Sequence, residues 1–471
     1  MVSASVRASG KQVHCRGKNC GSCCSVKYPM SYAPLTFHSP RPKFSHLQAH
    51  DETPVSHQVS IRALLPPLRA PDSVRYIKSG SRPDLSLPLS LSSTTRFNWL
   101  VKFFGLCGFA AFLSPAFLRI AWFYYTDRRV KRNLQYGSAP RNRLDLYLPP
   151  GCAFDTEKTE AAVRAADAET DAGRDPASRE RHENGGSGGG RPVIVFVTGG
   201  MWIIGYKAWG ALLAQSLMKQ GFIVASLDYR NFPQGTVGEM IQDVGCGIGW
   251  VVKRAVALGG DPRRIVVVGQ SAGAHLSATA ILRQAEWELS GYGLASAWSP
   301  SSLAGFVGVS GVYSPDDQSL VDHFHRRGLH REVFHSIMEA GYSGARAEEA
   351  LPRASPCAIL RDQAGVPGLI SRQPPVLLCH GSADTSAPPS ESAKFAAALR
   401  AAGVAEVMEK YYPGKTHTDP FVTDPILGGH DALLEDIVAF VRKGEDALKL
   451  PALPRLLPKP LVDIARTMVP F

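Results

Sequence analysis

The sequence predicts an α/β fold, in which helices cover both faces of a mostly parallel central sheet. Three observations predict it. From residue 192 onward, short continuous apolar segments alternate with longer amphipathic ones, as buried parallel strands and their covering helices do. One apolar segment ends in a Gly-x-Ser-x-Gly turn that opens the next helix. The chain has 471 residues, 44% of them hydrophobic, which is enough for one large domain with appendages.

The alternation also predicts individual elements and domain bounds. The predicted strands are 143–147, as the first edge strand, then 193–197, 222–227, 265–268, 305–309, 376–379 and 407–411. The predicted helices are 208–219, 237–257, 272–286, 390–402 and 431–442. They form a catalytic domain at 136–445, with a disordered, glycine-rich insertion at 153–191, a small cap at 312–370 and a C-terminal tail at 446–471.

The positive charge of the chain is concentrated in its first third. Residues 1–150 hold 21 Lys and Arg against 6 Asp and Glu, a net of +15, so the remainder carries −4 of the total of +11. A basic flank favours an anionic partner, and no nucleic-acid motif occurs, so the prediction is a membrane surface and no nucleic acid. Residues 1–95 are predicted to be a disordered basic region, with an organelle transit peptide as the alternative.

Residues 96–132 are predicted to be a membrane-anchor segment. Between residues 103 and 118 there are sixteen residues without a charge, somewhat short of a hydrocarbon core of about 30 Å. Lys102 and Arg119 flank this run, and aromatic residues that favour membrane interfaces surround it. The segment is apolar on all sides, which favours an anchor, spanning or re-entrant, over a buried helix of the domain. The basic run at 127–132 predicts a cytoplasmic catalytic domain.

The cysteines and histidines do not predict a metal site or a cofactor. Nine cysteines, an odd number, argue against the disulfide framework of a secreted protein. One group lies near the N-terminus, with His14 beside it: Cys15, Cys20, Cys23 and Cys24. A zinc site needs a second ligand pair at a defined spacing, and none follows, so an unstructured, acylated segment is favoured. Four histidines in the cap are predicted to form a polar helix face: His323, His325, His330 and His335.

Ser271 is the candidate nucleophile. It lies in Gly269-Gln270-Ser271-Ala272-Gly273, directly after a predicted strand and before a predicted helix. That context is typical of the nucleophile elbow of the α/β-hydrolase fold, in which glycines allow a tight strand-to-helix turn. The fold prediction is therefore an α/β-hydrolase fold with a small cap, preceded by the membrane-anchor segment.

A base and an acid follow the nucleophile in the order that this fold uses. Asp384 comes directly after the strand 376–379, and His417 comes directly after the last strand. Because parallel strands end at the same edge of a sheet, both side chains are expected beside Ser271, with His417 as base and Asp384 as the acid that orients it. Asp419 and Asp436 are the alternative acids.

The loop after strand 193–197 is the predicted oxyanion hole. It reads Thr198-Gly199-Gly200-Met201-Trp202, and glycines let backbone N–H groups approach a developing negative charge. The predicted donors are the N–H groups of Gly200, Met201 and Ala272.

Longer stretches of the sequence resemble a known family. The run from Gly199 to Gly210, the run from Asp228 to Thr236 and the elbow are similar to the plant isoprenylcysteine α-carbonyl methylesterases. Residues 140–149, 321–325 and 414–419 resemble them too, so the resemblance covers about 98–443. It does not cover residues 1–95, and the insertion at 153–191 departs from it. Thr198 stands where related esterases carry a histidine that supports the oxyanion loop.

The resemblance implies a reaction and a location. It implies hydrolysis of the methyl ester on the C-terminal prenylcysteine of CaaX proteins, in membranes of the endoplasmic reticulum and Golgi apparatus. The predicted substrate contacts are Trp202, Gln270 and four apolar cap residues that would line a lipid groove, or else pack against the sheet: Phe324, Leu329, Phe334 and Ile337. Two alternatives remain, a general carboxylesterase or arylformamidase-like amidase, and a non-catalytic binding protein of the same fold.

Overall fold

The central sheet has eight strands in the order β1-β2-β4-β3-β5-β6-β7-β8. The computed structural model describes residues 93–171, 190–290, 298–340, 346–363, 366–443 and 450–468. The strands are β1 (Val130–Gln135), β2 (Arg143–Tyr147), β3 (Arg191–Val197), β4 (Ile223–Leu227), β5 (Gly260–Gln270), β6 (Gly305–Val309), β7 (Val376–Gly381) and β8 (Val407–Tyr412). From residue 98 on, the described residues belong to one unit.

Six of these strands run parallel to one another. The strands β3 to β8 pair in parallel, whereas β2 is antiparallel to both β1 and β4. The seven predicted strands are all present, but the prediction that 143–147 is the edge strand is wrong. The edge is β1, in which Val130 pairs with Tyr147. The sequence of β1 is basic and mostly polar, so it resembles the charged flank of a membrane anchor. The alternation typical of a strand is therefore hard to recognise in it.

Helices cover both faces of the sheet. The longer ones are α1 (Ser93–Thr126), α2 (Thr156–Asp171), α3 (Ala211–Lys219), α4 (Val237–Arg254), α5 (Ala272–Leu289), α11 (Ser390–Ala402), α13 (Ala432–Val441) and α14 (Lys459–Met468). The shorter ones are α6 (Gln318–Arg326), α7 (Arg331–Ile337), α8 (Ala347–Ala354), α9 (Pro356–Asp362), α10 (Pro367–Ile370) and α12 (Asp424–Leu427). The five from α6 to α10 occupy the predicted cap.

The buried strand β3 shows how the two layers form. Val193, Val195 and Val197 point into the cluster that contains buried residues of α4 and α5, whereas Ile194 and Phe196 point into the cluster that contains α3 and α13. Successive side chains of a strand face opposite sides of the sheet, so a continuous apolar strand supplies both layers.

The prediction of a disordered insertion at 153–191 is wrong for its first part. Residues Thr156–Asp171 form α2, which begins where the Asp155 carboxylate accepts a hydrogen bond from the N–H of Lys158. Thr159 and Val163, one helical turn apart, are buried, and Glu160 accepts two hydrogen bonds from the Arg254 guanidinium on α4. These contacts fix a segment whose composition alone favours disorder. The glycine run lies outside the described residues.

Residues 450–468 are not a free tail, so that prediction is wrong as well. Leu457, Val462 and Ala465 are buried against α1 and α12. Half of the residues of α14 are apolar, and Leu461, Val462, Ala465 and Met468 have the spacing of one helical face, which is the signal in the sequence that points to this helix.

The helix α1 contains a stretch that is long and apolar enough to cross a membrane, at Phe104–Thr126. Its mean hydropathy is 1.6, and 11% of its most apolar window is buried. It is the one such helix among the described residues. The predictions for residues 1–92, including the cysteine group and the disordered region, lie outside the described part of the chain.

Candidate active site

Ser271 lies in a sharp turn between β5 and α5. Its backbone has φ of 53° and ψ of −121°, a conformation that residues other than glycine rarely adopt. A Cβ atom on Gly273 would lie 2.2 Å from the carbonyl oxygen of Val197, and one on Gly269 would lie 2.6 Å from Cα of Ala274. The two glycines are therefore required for the close approach of the chain at the elbow.

His417 and Asp384 meet Ser271 at the carboxyl edge of the sheet. His417 Nε2 lies 3.0 Å from Ser271 Oγ, and His417 Nδ1 lies 2.7 Å from Asp384 Oδ2. The second carboxylate oxygen of Asp384 accepts hydrogen bonds from the N–H groups of Ser386 and Ala387. This arrangement can transfer a proton from the serine to the imidazole while the carboxylate stabilises the imidazolium.

A second histidine, His380, contacts the same carboxylate. Its Nε2 lies 3.2 Å from Asp384 Oδ2 and 3.0 Å from the carbonyl oxygen of Ala387, and its Nδ1 lies 2.8 Å from Ser392 Oγ. A carbonyl only accepts, so Nε2 carries the hydrogen. The sequence patterns assign no role to His380, although its place at the end of β7, four residues before Asp384, is a signal that points to it.

The two histidines keep Asp384 ionised. Burial by itself raises the pKa of Asp384, but hydrogen bonds from His380 and His417 outweigh it and hold the pKa well below its usual range. The alternative acids are engaged elsewhere. Asp419 accepts from the N–H of Thr416, and Asp436 accepts from the Tyr412 hydroxyl.

The loop at residues 198–206, named the oxyanion loop here, has a strained backbone. Gly200, Met201 and Trp202 have φ of 124°, 51° and 62°. The N–H groups of Ile203 and Ile204 both donate to the Gly200 carbonyl, which closes a tight turn. A tight turn with positive φ can direct successive backbone N–H groups to one side, as a site for an oxyanion requires.

Gln270 supports the oxyanion loop. Its Oε1 accepts a hydrogen bond of 3.0 Å from the N–H of Gly199. The Tyr229 hydroxyl donates to the Thr198 carbonyl, and the Asn231 amide donates to the Gly205 carbonyl. These three side chains hold the backbone of the oxyanion loop, and the predicted substrate contact of Gln270 stays a prediction.

The side chain of Trp202 is buried, so the prediction that it contacts the substrate is wrong. Its side chain is 1% exposed, and its Nε1 donates a 3.1 Å hydrogen bond to His275 Nδ1. His275 Nε2 donates to the Ala354 carbonyl, 2.7 Å away in the cap. Burial lowers the pKa of His275 to about 4, so the ring is neutral near pH 7 and can accept from Trp202.

The four predicted groove residues are buried in the packing between the cap and Trp202. Phe334 and Ile337 are fully buried, and Phe324 and Leu329 are nearly so. The rings of Phe324 and Phe334 lie edge-on to Trp202, with centroids at 6.2 and 5.9 Å. An apolar helix face covers either a ligand or the domain, and here it covers the domain, so no open lipid groove lies among these residues.

Replacing Phe334 with alanine is therefore expected to destabilise the fold. Removing a fully buried ring leaves a cavity, and we expect the free energy of unfolding to fall by about 3–5 kcal/mol. Urea unfolding followed by tryptophan fluorescence measures it. The matched control is Val256→Ala, because Val256 is 68% exposed; its change should stay within about 0.5 kcal/mol. A Phe334→Ala protein as stable as the control would mean that the ring lines an open groove after all.

The C-terminal helix holds the loop that carries His417. Arg466 donates to Asp419 Oδ1 at 2.9 Å and to Asp424 Oδ1 at 2.7 Å. Asp419 Oδ2 in turn accepts from the N–H of Thr416, beside His417. The guanidinium thus fixes the carboxylate that orients the histidine loop.

We expect Arg466→Met to lower kcat about tenfold, because the histidine loses part of its orientation. The KM for a short ester should change little, since Arg466 contacts Asp419, Thr423 and Asp424 and not the oxyanion loop. Lys459→Met is the control, because Lys459 pairs with Asp463 on the surface of the same helix. An unchanged kcat for Arg466→Met would show that the loop holds its position without α14.

Among the described residues, no three His, Cys, Asp or Glu side chains are grouped so that they could hold a metal ion. In the cap, His323 Nε2 contacts the Thr385 carbonyl, and His325 Nδ1 accepts from the N–H of Arg331. The absence of a metal or cofactor from the reaction stays a prediction.

Known proteins are similar to this chain over most of its length. The BD-FAE family model matches residues 183–399. The isoprenylcysteine alpha-carbonyl methylesterase of Arabidopsis thaliana is 42% identical over 381 residues, which cover 80% of this chain and 78% of the relative. Esterase LipC of Mycobacterium tuberculosis is 31% identical over 231 residues, covering 48% of this chain and 52% of the relative. The chain is a carboxylic ester hydrolase, and it belongs to the isoprenylcysteine alpha-carbonyl methylesterase family.

Proposed function

We propose that this enzyme hydrolyses the methyl ester of C-terminal prenylcysteine through an acyl-enzyme on Ser271. The substrates would be prenylated, carboxyl-methylated CaaX proteins or free prenylcysteine methyl esters. The hydrogen-bonded chain from Ser271 through His417 to Asp384 carries the proposal, since it supplies the chemistry of ester cleavage. The Arabidopsis relative, 42% identical, supports the choice of ester by its name.

The reaction proceeds in two halves. In the first, His417 takes the proton of Ser271 while Oγ attacks the ester carbonyl, and the imidazolium then protonates the departing methoxide, which leaves as methanol. In the second, His417 takes a proton from water and the hydroxide attacks the acyl-enzyme. The imidazolium returns the proton to Oγ as the acyl–oxygen bond breaks, which restores Ser271 and releases the acid, and the acid then loses its proton to solvent to give the carboxylate. Asp384 holds the imidazole by accepting the hydrogen of Nδ1 in both halves.

The oxyanion of each tetrahedral intermediate would be bound by the N–H groups of Gly200, Met201 and Ala272. The first two belong to the strained turn of the oxyanion loop, and Ala272 opens α5, whose N-terminal end favours negative charge. Gln270 and Trp202 act on this site as positioning residues, through Gly199 and His275.

Lipid recognition needs an exposed apolar surface next to the nucleophile. The cap residues are buried, but Met201 and Ile204 of the oxyanion loop are 37% and 62% exposed. We therefore assign the prenyl contact to these two side chains. The methyl leaving group is small, so discrimination between substrates must come from the acyl side.

Membrane association agrees with a lipidated substrate. The apolar stretch Phe104–Thr126 supports it. Residence in the endoplasmic reticulum and Golgi apparatus, with the catalytic domain on the cytoplasmic side, completes the proposal, and targeting to another organelle by residues 1–95 is the alternative.

The activity is tested by methanol release from farnesylcysteine methyl ester by the purified full chain, and the absence of release contradicts it.

The assignment of the lipid contact is tested with Ile204→Asp. Because a carboxylate opposes burial of the lipid, we expect kcat/KM for the farnesylated ester to fall at least tenfold more than for a short nitrophenyl ester. Val256→Asp is the control for an added surface charge. A general carboxylesterase would lose both activities equally with Ile204→Asp.

A further inference from the structure

The helix α1 has two apolar faces, and one of them packs against the catalytic domain. Leu113 and Ala116 are fully buried and Ile120 is partly buried, within about 60° of one another around the helix axis at 3.6 residues per turn. Their buried partners come from three other parts of the domain: Leu212, Ile426, Leu457, Val462 and Ala465. This face behaves as an ordinary core-facing side of a helix.

The opposite face of α1 is exposed and equally apolar. Phe104, Leu118, Trp122 and Tyr125 are 67%, 69%, 74% and 63% exposed. They also lie within about 60° of one another, on the side of the axis away from Leu113. Large apolar patches of this kind mark surfaces that meet a partner or a membrane.

Contacts with the domain extend along almost the whole apolar length of α1. Gly105 and Gly108 lie against Met468 of α14, and the Tyr124 hydroxyl donates a 2.7 Å hydrogen bond to Asp145 in β2. From Gly105 to Tyr124 the helix rises about 29 Å, which is close to the thickness of the hydrocarbon core. If α1 crossed the membrane as it is packed here, α14 and its ion-paired Arg466 would have to enter the bilayer with it.

A second exposed apolar patch follows the active-site strand β3. Of the sixteen exposed large apolar side chains among the described residues, six lie on α1 and four lie between Met201 and Trp209. Ala208, in the turn Lys207–Gly210 that follows the oxyanion loop, packs against the same buried cluster as Phe123 of α1. The two exposed patches therefore border the same face of the central sheet.

The charges and aromatic residues around the patches match a lipid surface. Trp122, Tyr125, Tyr206 and Trp209 are the aromatic types that favour the headgroup region. Directly after α1 comes a basic group that suits anionic headgroups: Arg128, Arg129, Lys131 and Arg132.

We propose that α1 lies in the plane of the membrane without crossing it, and that its exposed face and the patch at 201–209 form one lipid-facing surface. The oxyanion loop, in which the patch at 201–209 begins, would then face the bilayer, where a prenyl chain is already dissolved. This inference rests on the membrane association proposed above, but it does not depend on which ester is cleaved.

The orientation is tested with the full chain carrying one epitope tag at each end. In sealed membrane vesicles from producing cells, protease added outside should digest both tags. Protection of the N-terminal tag alone would show that α1 crosses the bilayer and would overturn the proposal.

Contact of both exposed patches with lipid is tested by the binding of purified variants to vesicles of phosphatidylcholine and phosphatidylserine. Trp122→Asp and Trp209→Asp should each lower the partition coefficient about tenfold, whereas Val256→Asp should leave it as in the wild type. Hydrolysis of a short nitrophenyl ester in solution reports that each variant is folded. Wild-type partition for Trp209→Asp would overturn the joint surface. If the wild type binds no vesicles, membrane association itself fails, and concentration-dependent self-association lost in Trp209→Asp would assign the surface to a second copy.

Discussion

Replacing Ser271 with alanine is expected to lower kcat by about 10⁴- to 10⁶-fold for every ester, because the attacking oxygen is lost. His417→Ala should cost about as much, and the double variant should be little worse than either, since the residues act as a unit. Steady-state release of nitrophenol from a short ester measures all three. The fold should be intact in each, as shown by unchanged urea unfolding.

Covalent labelling separates loss of chemistry from loss of folding. A fluorophosphonate probe should label the wild type at one site and fail to label Ser271→Ala. Near-normal turnover by folded Ser271→Ala would rule out this serine as the nucleophile.

Asp384→Asn is expected to lower kcat by about 10⁴-fold, because the amide no longer fixes the productive tautomer of His417.

His380 also contributes to holding the Asp384 carboxylate. It donates to the same oxygen as His417, so His380→Gln, which keeps a donor, should retain a higher kcat than His380→Ala.

The alternative acids provide the controls for Asp384. Asp436→Asn should leave kcat nearly unchanged, since its carboxylate contacts Tyr412 and Lys410 and not His417. A larger loss of kcat for Asp436→Asn than for Asp384→Asn would contradict this assignment and identify Asp436 as the acid.

The candidate site was largely predictable from the sequence because its parts sit at strand ends. Ser271, Asp384 and His417 each follow a predicted strand, and parallel strands bring their carboxyl ends to one edge of the sheet. Short motifs and sheet geometry together were enough to predict that these residues lie close together.

The supporting contacts were harder to predict, because they depend on packing between distant segments. An apolar cap residue such as Phe334 has the same pattern whether it faces a lipid or Trp202. Gln270 and His380 lie beside predicted site residues, but only the folded loops show that they contact Gly199 and Asp384. Single-sequence patterns carry no such long-range information.

The errors in the fold have the same origin. The strand β1 has only two apolar residues, Val130 and Leu134. Both β1 and the helix α14 are held by partners elsewhere in the chain, Tyr147 for β1 and the pair Asp419 and Asp424 for α14. The helix α1 was predicted from its apolar composition, but only its contacts distinguish its buried face from its exposed one.

The most direct test of the account compares two thioether esters with the wild-type enzyme, farnesylcysteine methyl ester and S-methylcysteine methyl ester. They differ only in the lipid, so the ratio of their kcat/KM values measures recognition of the prenyl chain. Burying about five CH₂-sized groups contributes about 4 kcal/mol, so the account predicts a preference of about a thousandfold for the farnesylated ester. Equal kcat/KM values for the two esters would contradict it and identify a general carboxylesterase.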